Sequence, residues 1–384
     1  MTMNFLLSSQ NVLEYLAKHN LCDQQDKDQI QIELKAAKNF NLLVKLNDGH
    51  QLIVKQEPHN SRGHTAGKFT NEWRFQQFLA HFSELSYLRP WLTEVVHFNA
   101  DDSIIVFNYL DNYCDLADFY RQENVFSTGI ASNIGRILAT IHRTTFNRQD
   151  YQNFLSNSQP PKLARGLDRI TPEAFGLIPV DGLKFFTLYQ RYDSLGQAIA
   201  KLVSAFDSCC LVHNDLKLNN ILLHLDWEQP ELSNSSFIRL IDWEFCSWGD
   251  PAFDLGHLIC SYLQLWLNSL VVSNTISIEE SLGLAMTPLQ LLQPSIAALT
   301  QAYLKQFPEI VVYRPNFLHL VLQSAGLALI QHIHASIQYQ KAFGNVAICT
   351  LQVAKSLLCR PAQSILTVFG LPESELTVDS CIPV

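Results

Sequence analysis

The sequence is short of several things that would point to particular classes. It has no basic excess: 27 Lys and Arg stand against 36 Asp and Glu, for a formal charge of −9 at pH 7. A nucleic-acid partner is therefore not expected, since there is little cationic surface to release phosphate counterions. Its nine cysteines are odd in number, scattered and never at CxxC spacing. That argues against a disulfide framework or a zinc site and for reduced, cytoplasmic thiols. The opening MTMNFLLSSQ lacks a basic n-region and a small-residue cleavage site, so no signal peptide is expected. The most apolar later stretch, Phe317 to Ile333, carries His319, Gln323, Gln331 and His332. No membrane span is expected there, because a core helix hides four such groups more cheaply than lipid does. What the chain does have is 47% apolar residues over 384 positions, enough for two domains or one two-lobed unit.

The first part of the chain reads as strands. Residues 9–18 have helical spacing, but residues 30–34 and 42–46 alternate, and Asn47-Asp48-Gly49-His50 leads into Gln51-Leu52-Ile53-Val54-Lys55 as a hairpin. Residues 70–82 return to helical spacing, followed by strands near 93–98 and 103–109, with Asp101-Asp102 in a turn. After a short connection at Asn108–Asp111 the pattern becomes mostly helical. Ile134, Ile137, Leu138 and Ile141 form one apolar helix face. Short strands are expected only near 209–212, 220–225 and 237–242. A capping box at Ser277 and Glu280 and a helix start at Thr287-Pro288 follow. The expected fold class is α+β, with a small antiparallel-sheet lobe over 1–109 and a large, mostly helical lobe over 110–384.

Chemistry concentrates in His213-Asn214-Asp215-Leu216-Lys217-Leu218-Asn219-Asn220. A carboxylate and an amide five residues apart on a loop between strands suit phosphoryl transfer. Asp215 would accept or orient an acceptor hydroxyl, and Asn220 would ligate magnesium through its oxygen. Lys217 is placed to offset charge on the transferring phosphate. A polar hairpin would use the same residues, so the loop alone leaves both readings open. Twenty-seven positions after Asp215, Leu240-Ile241-Asp242-Trp243-Glu244 puts a carboxylate at the end of an apolar strand. Oxygen ligands there suit Mg²⁺ bridging phosphates, with Glu244 on the same side as Asp242 if the strand continues. In Gly249-Asp250-Pro251-Ala252-Phe253-Asp254-Leu255-Gly256, Asp254 reads as a helix N-cap, as a group that ties down the catalytic loop, or as both. His213 is read with Asp254 as structural support. In the first lobe, Lys55 leaves an apolar strand and Glu72 lies on the next helix. They are either a solvated strand end and a surface acid or the Lys–Glu pair that holds nucleotide phosphates.

With these pieces in order, the chain resembles the aminoglycoside phosphotransferase and choline kinase family, the small-molecule branch of the protein-kinase-like fold. The resemblance rests on Ile134 through His142, His213-Asn214-Asp215 through Asn220, Ile241-Asp242-Trp243-Glu244, and Gly249-Asp250-Pro251 through Leu255. It covers residues 134–256, reaches the first lobe less fully, and fades over the last ~125. It implies a catalytic base at Asp215, Mg²⁺ on Asn220 and Asp242, and ATP phosphates on Lys55. It also implies an adenine stacked near Asn108-Tyr109-Leu110, bonded to that backbone.

Three departures shape the expected function. The phosphate-covering loop should lie near Ala36 through Asn41 yet has no glycine, so Asn39 and Asn41 side chains are expected to replace close backbone approach. Lys217 stands where aminoglycoside kinases commonly carry His. Asp254 follows Asp242 by only twelve positions, which leaves no room for the activation loop of a regulated protein kinase. The expectation is an ATP- and Mg²⁺-dependent kinase of a hydroxyl on a small, amine-bearing molecule. Its acceptor cleft would be walled by residues 147–205 and the helices after 256. Trp248, Tyr262, Trp266 and Tyr303 are weighed as faces for an ammonium, with core packing the stronger reading. His332 and His334, two apart on a helix, are read as core or surface residues and not as a metal pair. The alternatives are a kinase of peptide Ser or Thr hydroxyls in natural-product maturation, and a non-catalytic kinase-like module binding nucleotide or a partner.

Overall fold

The computed structural model describes residues 5–23, 30–35, 40–61, 63–156, 179–229, 237–273, 275–340 and 342–377. The chain forms two compact units, Met1–Leu116 with Asn220–Cys246 and Ala117–Asn219 with Ser247–Val384. This differs from a single cut after residue 109. Strand β6 (Tyr113–Asp115) pairs antiparallel with β8 (Ile221–His224), which pairs with β9 (Ile238–Leu240). Those ladders draw residues 220–246 back to the first unit, a pairing that hydropathy along the chain does not reveal.

The first unit is built on an antiparallel sheet of β1 (Gln31–Lys35), β2 (Phe40–Lys45), β3 (Gln51–Gln56), β4 (Val95–Asn99) and β5 (Ile104–Asn108), in the order β1-β2-β3-β5-β4. Gly49 closes the β2–β3 hairpin at φ 85°, a left-handed conformation that costs glycine nothing. The two faces of the sheet follow the period of two. Leu52 and Val54 join Leu42, Val44, Ile104 and Val106 in a core covered by the helix Val12–Lys18. Ile53 points the other way, packing with Phe69, Ile105 and Phe107. Lys55 therefore shares the face of Ile53, toward the helix Lys68–His81 that carries Phe69 and Glu72. Each fully buried Leu or Val contributes roughly 1.5–3 kcal/mol, so the register that places Lys55 is strongly held.

The second unit is mainly helical. Its helices Thr128–Thr145 and Leu289–Gln306 pack closely through Gly135, where an added Cβ would lie 2.1 Å from the Leu299 carbonyl oxygen. The helix Pro251–Asn268 packs against Phe317–Gln340 in the same manner at Gly256, where a Cβ would come 2.6 Å from the Val321 carbonyl. Phe317–Tyr339 is long and apolar enough to cross a membrane by length and composition, but 67% of that stretch is buried inside the protein. Phe317, Val321, Leu322, Ala325 and Ile330 on it are core residues. The capping box is formed: Ser277 Oγ accepts the Glu280 N–H at 3.2 Å, and Glu280 Oε2 accepts the Ser277 N–H at 3.0 Å.

Candidate functional site

In the second unit, β7 (Cys210–Val212) pairs antiparallel with β10 (Ser247–Gly249) and delivers the chain to the loop at 213. Asn214 then takes a left-handed conformation, φ 64°, which Asn tolerates better than bulky residues. The loop is held from behind. Asp254 accepts the His213 backbone N–H with Oδ2 at 2.6 Å and the Asn214 N–H with Oδ1 at 2.8 Å. Asn214 Nδ2 donates to Ser247 Oγ at 2.6 Å, and the Asp215 N–H donates to His213 Nδ1 at 3.3 Å. Asp215 is thereby presented outward with about two fifths of its side chain exposed, its Oδ2 accepting from Lys217 Nζ at 2.8 Å.

Asp254 is not the N-cap of the helix that follows Pro251. That position belongs to Asp250, whose Oδ1 accepts the Ala252 N–H at 3.0 Å; its Oδ2 meets Arg314 Nη1 at 2.6 Å. Proline takes the first helical position, so the cap falls one residue earlier and Asp254 lies one turn inside. Fully buried, Asp254 would have its carboxyl raised by desolvation. The hydrogen bond and charge of His142, then the charge and backbone N–H of His213, hold it below the ordinary carboxylate range instead. His142 Nε2 lies 3.3 Å from Asp254 Oδ2, and Nδ1 lies 2.8 Å from Tyr303 Oη. Nε2 can donate to the Asp254 carboxylate, while at Nδ1 the Tyr303 hydroxyl donates or accepts according to the tautomer of the ring. The sequence signal for His142 was its place at the end of the quoted helix motif; nothing local marked Tyr303 as its partner.

Lys55, Glu72, Asn108 and Leu110, the residues expected to serve a nucleotide, belong to the first unit. Lys55 Nζ donates to Asp242 Oδ1 at 2.8 Å and lies 5.2 Å from the centre of the Phe107 ring. Burial lowers the Lys55 ammonium, but the charges of Asp242, Glu72 and Glu244 outweigh it and leave the group above its usual range. Glu72 is buried against the same cluster and accepts the Trp243 backbone N–H. Desolvation, followed by the Asp242 charge, raises its carboxyl to about 8. The ion pair made by Lys55 is thus with Asp242, and Glu72 adds to the field around both.

Strand β9 stops at Leu240, and Asp242 turns the chain left-handed at φ 60°. Glu244 consequently sits in the short 3₁₀ turn Trp243–Phe245 and not on a continued strand. Its Oε1 accepts from Lys68 Nζ at 2.8 Å, and Asn71 Nδ2 donates to the carbonyls of Glu244 at 3.1 Å and Cys246 at 2.8 Å. Trp243 stacks on Phe75 with ring centres 4.4 Å apart. Lys68, Asn71 and Phe75, all on the helix of Glu72, were missed by sequence reasoning. Only their helical spacing from Glu72 hinted that they share its face. Glu57 is also buried, with its carboxylate accepting from the Lys68 N–H at 3.3 Å and Ser103 Oγ at 3.1 Å.

Asn220 is buried, and its carbonyl accepts the Ile241 N–H at 3.0 Å, so it sits beside the start of the Asp242 turn. Among the described residues no three His, Cys, Asp or Glu gather as a complete metal cage. Magnesium does not require one, since it is commonly held by one or two carboxylates plus substrate phosphates. Asn220, Asp242 and Glu244 offer oxygen donors of that kind. Two buried amide oxygens stand out. The Asn41 Oδ1, cross-strand from Lys55, and the Asn108 Oδ1 are buried with no hydrogen-bond partner among the described residues. An unsatisfied buried amide costs about 1–3 kcal/mol, which a ligand's hydrogen bond removes. Asn108 and Leu110 also line a cavity of about 220 Å³ with Gln76, Thr93 and Arg239. The remainder of the expected phosphate cover, Ala36 to Asn39, lies outside the described residues, as do residues 157–178 of the expected acceptor wall.

Residues 33–273 match the phosphotransferase enzyme family, APH, and the chain belongs to that family. It is similar to a 4-hydroxytryptamine kinase of Psilocybe cyanescens, 25% identical over 180 residues, 45% of this chain and 46% of that protein. A shorter similarity, 37% over 78 residues, is to acyl-CoA dehydrogenase family member 11 of Rattus norvegicus, covering 20% of this chain and 9% of that protein. The chain spans less than half the length of these curated relatives. Among solved structures it is similar to the choline kinase LicA of Streptococcus pneumoniae. The identity is 17%, the TM-score 0.43, and the coverage 91% of this chain and 98% of that one.

Proposed function

We propose that this protein is an ATP- and magnesium-dependent phosphotransferase acting on a hydroxyl group of a small molecule. The observation that carries the reading is the loop presenting Asp215, fixed by two backbone N–H groups on the buried Asp254. Asp215 takes the proton of the acceptor hydroxyl as that oxygen bonds the γ-phosphorus and the bond to ADP breaks. Lys217 balances charge beside it. On the first unit, Lys55 holds nucleotide phosphates, Asn41 covers them in place of a glycine backbone, and Asn108 and Leu110 serve the base. Asn220 and Asp242, aided by Glu244, would hold the magnesium, which would supply positive charge against the phosphates.

An amine-bearing acceptor of the choline, ethanolamine, thiamine or aminoglycoside kind is the finer reading brought by the family. Its aromatic support is gone: Trp248, Tyr262, Trp266 and Tyr303 are all buried in the core, at most 6% exposed. We place the enzyme in the cytoplasm, a setting supported by the free thiols of the eight described cysteines. The test is acceptor-dependent ADP release in the presence and absence of Mg²⁺. Asp215→Asn is expected to lower kcat by about 10²–10⁴-fold, the usual contribution of a positioned base, with ATP binding retained. Full turnover by that variant would sink the reading.

A further inference from the structure

A cavity of about 220 Å³ opens beside the catalytic loop, entirely within the second unit. Asp215 and Lys217 line it from the loop, His257 and Ser261 from the helix Pro251–Asn268, and Gln331 and His332 from the helix Phe317–Gln340. At about 30 Å³ per water it holds the equivalent of roughly seven waters, the size of a small acceptor or of one end of a larger one. His257 is one helical turn past Asp254, so the element that anchors the loop also presents an imidazole toward the acceptor.

The polar lining is unusual for a cation site. Asp215 is the only carboxylate among the described residues around the cavity, and it is engaged by Lys217 at 2.8 Å. A second carboxylate or an exposed aromatic face, either of which would hold an ammonium, is not found there among the described residues. The remaining polar groups are two imidazoles, the amides of Asn214 and Gln331 and a hydroxyl, each able to donate and accept hydrogen bonds. Burial lowers His257, opposed by Asp254 and Asp215 and reinforced by His213 and Lys217. Desolvation, with His257 and Lys217 adding to it, lowers His332 as well, although part of that side chain stays open to solvent. Both shifts favour the neutral ring, and the formally charged side chains among the described lining residues are Asp215 and Lys217, of opposite sign.

Resting on the phosphotransferase reading, we propose that His257 and His332, with Gln331 and Ser261, select an uncharged, hydroxyl-bearing acceptor, and that an ammonium group is disfavoured in this cavity. An ammonium would meet Lys217 at close range with no second carboxylate among the described lining residues to compensate it, and in a partly desolvated site that is costly. A neutral alcohol with further hydroxyls satisfies the donors and acceptors and leaves Asp215 for the reacting oxygen. His257 and His332 are specificity residues in this scheme, and the proton transfer stays with Asp215.

The experiment uses pairs of alcohols of matched shape, one neutral and one carrying a primary or quaternary ammonium. ADP release with Mg²⁺ and ATP gives kcat/KM for each, and saturation-transfer NMR on the full chain gives binding without turnover. The neutral member is expected to exceed its ammonium partner at least tenfold in kcat/KM. His332→Ala and His257→Asn should each raise the acceptor KM at least tenfold with the KM for ATP unchanged. His332→Asp should shift preference toward the ammonium member. His332→Ala, on the cavity rim, keeps the test open if His257→Asn does not fold. Preference for the ammonium member by the unaltered protein, or an unchanged acceptor KM in His332→Ala, would overturn the proposal. Neutral alcohols that bind, lose binding in His332→Ala, and are never phosphorylated would uphold it while removing the phosphotransferase reading. Binding of neither class would remove the proposal alone if another acceptor is turned over.

Discussion

The backbone N–H of His213 donates to Asp254 Oδ2 at 2.6 Å, although the two residues stand forty-one positions apart. Through that bond and its twin at Asn214, Asp254 fixes the backbone of the two residues just ahead of Asp215.

Removing this anchor should be costly. Charge-assisted hydrogen bonds contribute about 1.5–3 kcal/mol each, and leaving buried N–H groups unpaired adds to the loss. Asp254→Ala is expected to destabilise the protein by about 3 kcal/mol or more in urea unfolding. It should also lower kcat more than Asp254→Asn, which keeps the volume and one acceptor.

Asp254 also dictates an acid limb. Its carboxyl titrates below its unfolded value of about 4, so the native state binds fewer protons than the unfolded chain in that range. The stabilisation is fully present above about pH 4 and is lost as pH falls through the depressed native value. Thermal melts from pH 6 down to pH 3 should show Tm falling more steeply in the unaltered protein than in Asp254→Asn. Parallel curves would contradict this assignment.

The Lys68–Glu244 pair gives a prediction for the proposed magnesium site. Lys68→Met should free the Glu244 carboxylate from its 2.8 Å partner and loosen the turn that carries Asp242. Both side chains are largely buried, so the ion pair is shielded from bulk screening. The expected result is a several-fold change in apparent Mg²⁺ affinity, read by metal-dependent tryptophan fluorescence of Trp243 as well as by turnover. Lys68→Arg should restore the pairing in part.

Gly135 tests the packing that carries His142. With a Cβ only 2.1 Å from the Leu299 carbonyl oxygen, Gly135→Ala must push the helices Thr128–Thr145 and Leu289–Gln306 apart. Overpacking of this kind costs about 1–3 kcal/mol, despite the better helix propensity of alanine. The shift also separates His142 from Tyr303, so kcat should fall together with Tm. An unchanged Tm would show that the helices adapt freely.

Much of this was legible along the chain. Alternation of Leu52, Ile53, Val54 and Lys55 determined both faces of the central strand, and with them the side on which Lys55 emerges, because a one-residue slip would expose the whole apolar set. The order and spacing of Asp215, Asn220, Asp242 and Asp254 carried the resemblance to the family that residues 33–273 match. Tertiary structure alone decided the pairings between distant elements: Lys55 with Asp242 in preference to Glu72, Lys68 with Glu244, and His142 with Tyr303 and Asp254. It also decided that His332, unremarkable on its helix, lines the cavity beside Asp215. A periodic pattern reports only which face of an element is buried; which partner that face meets depends on packing between elements far apart in the chain.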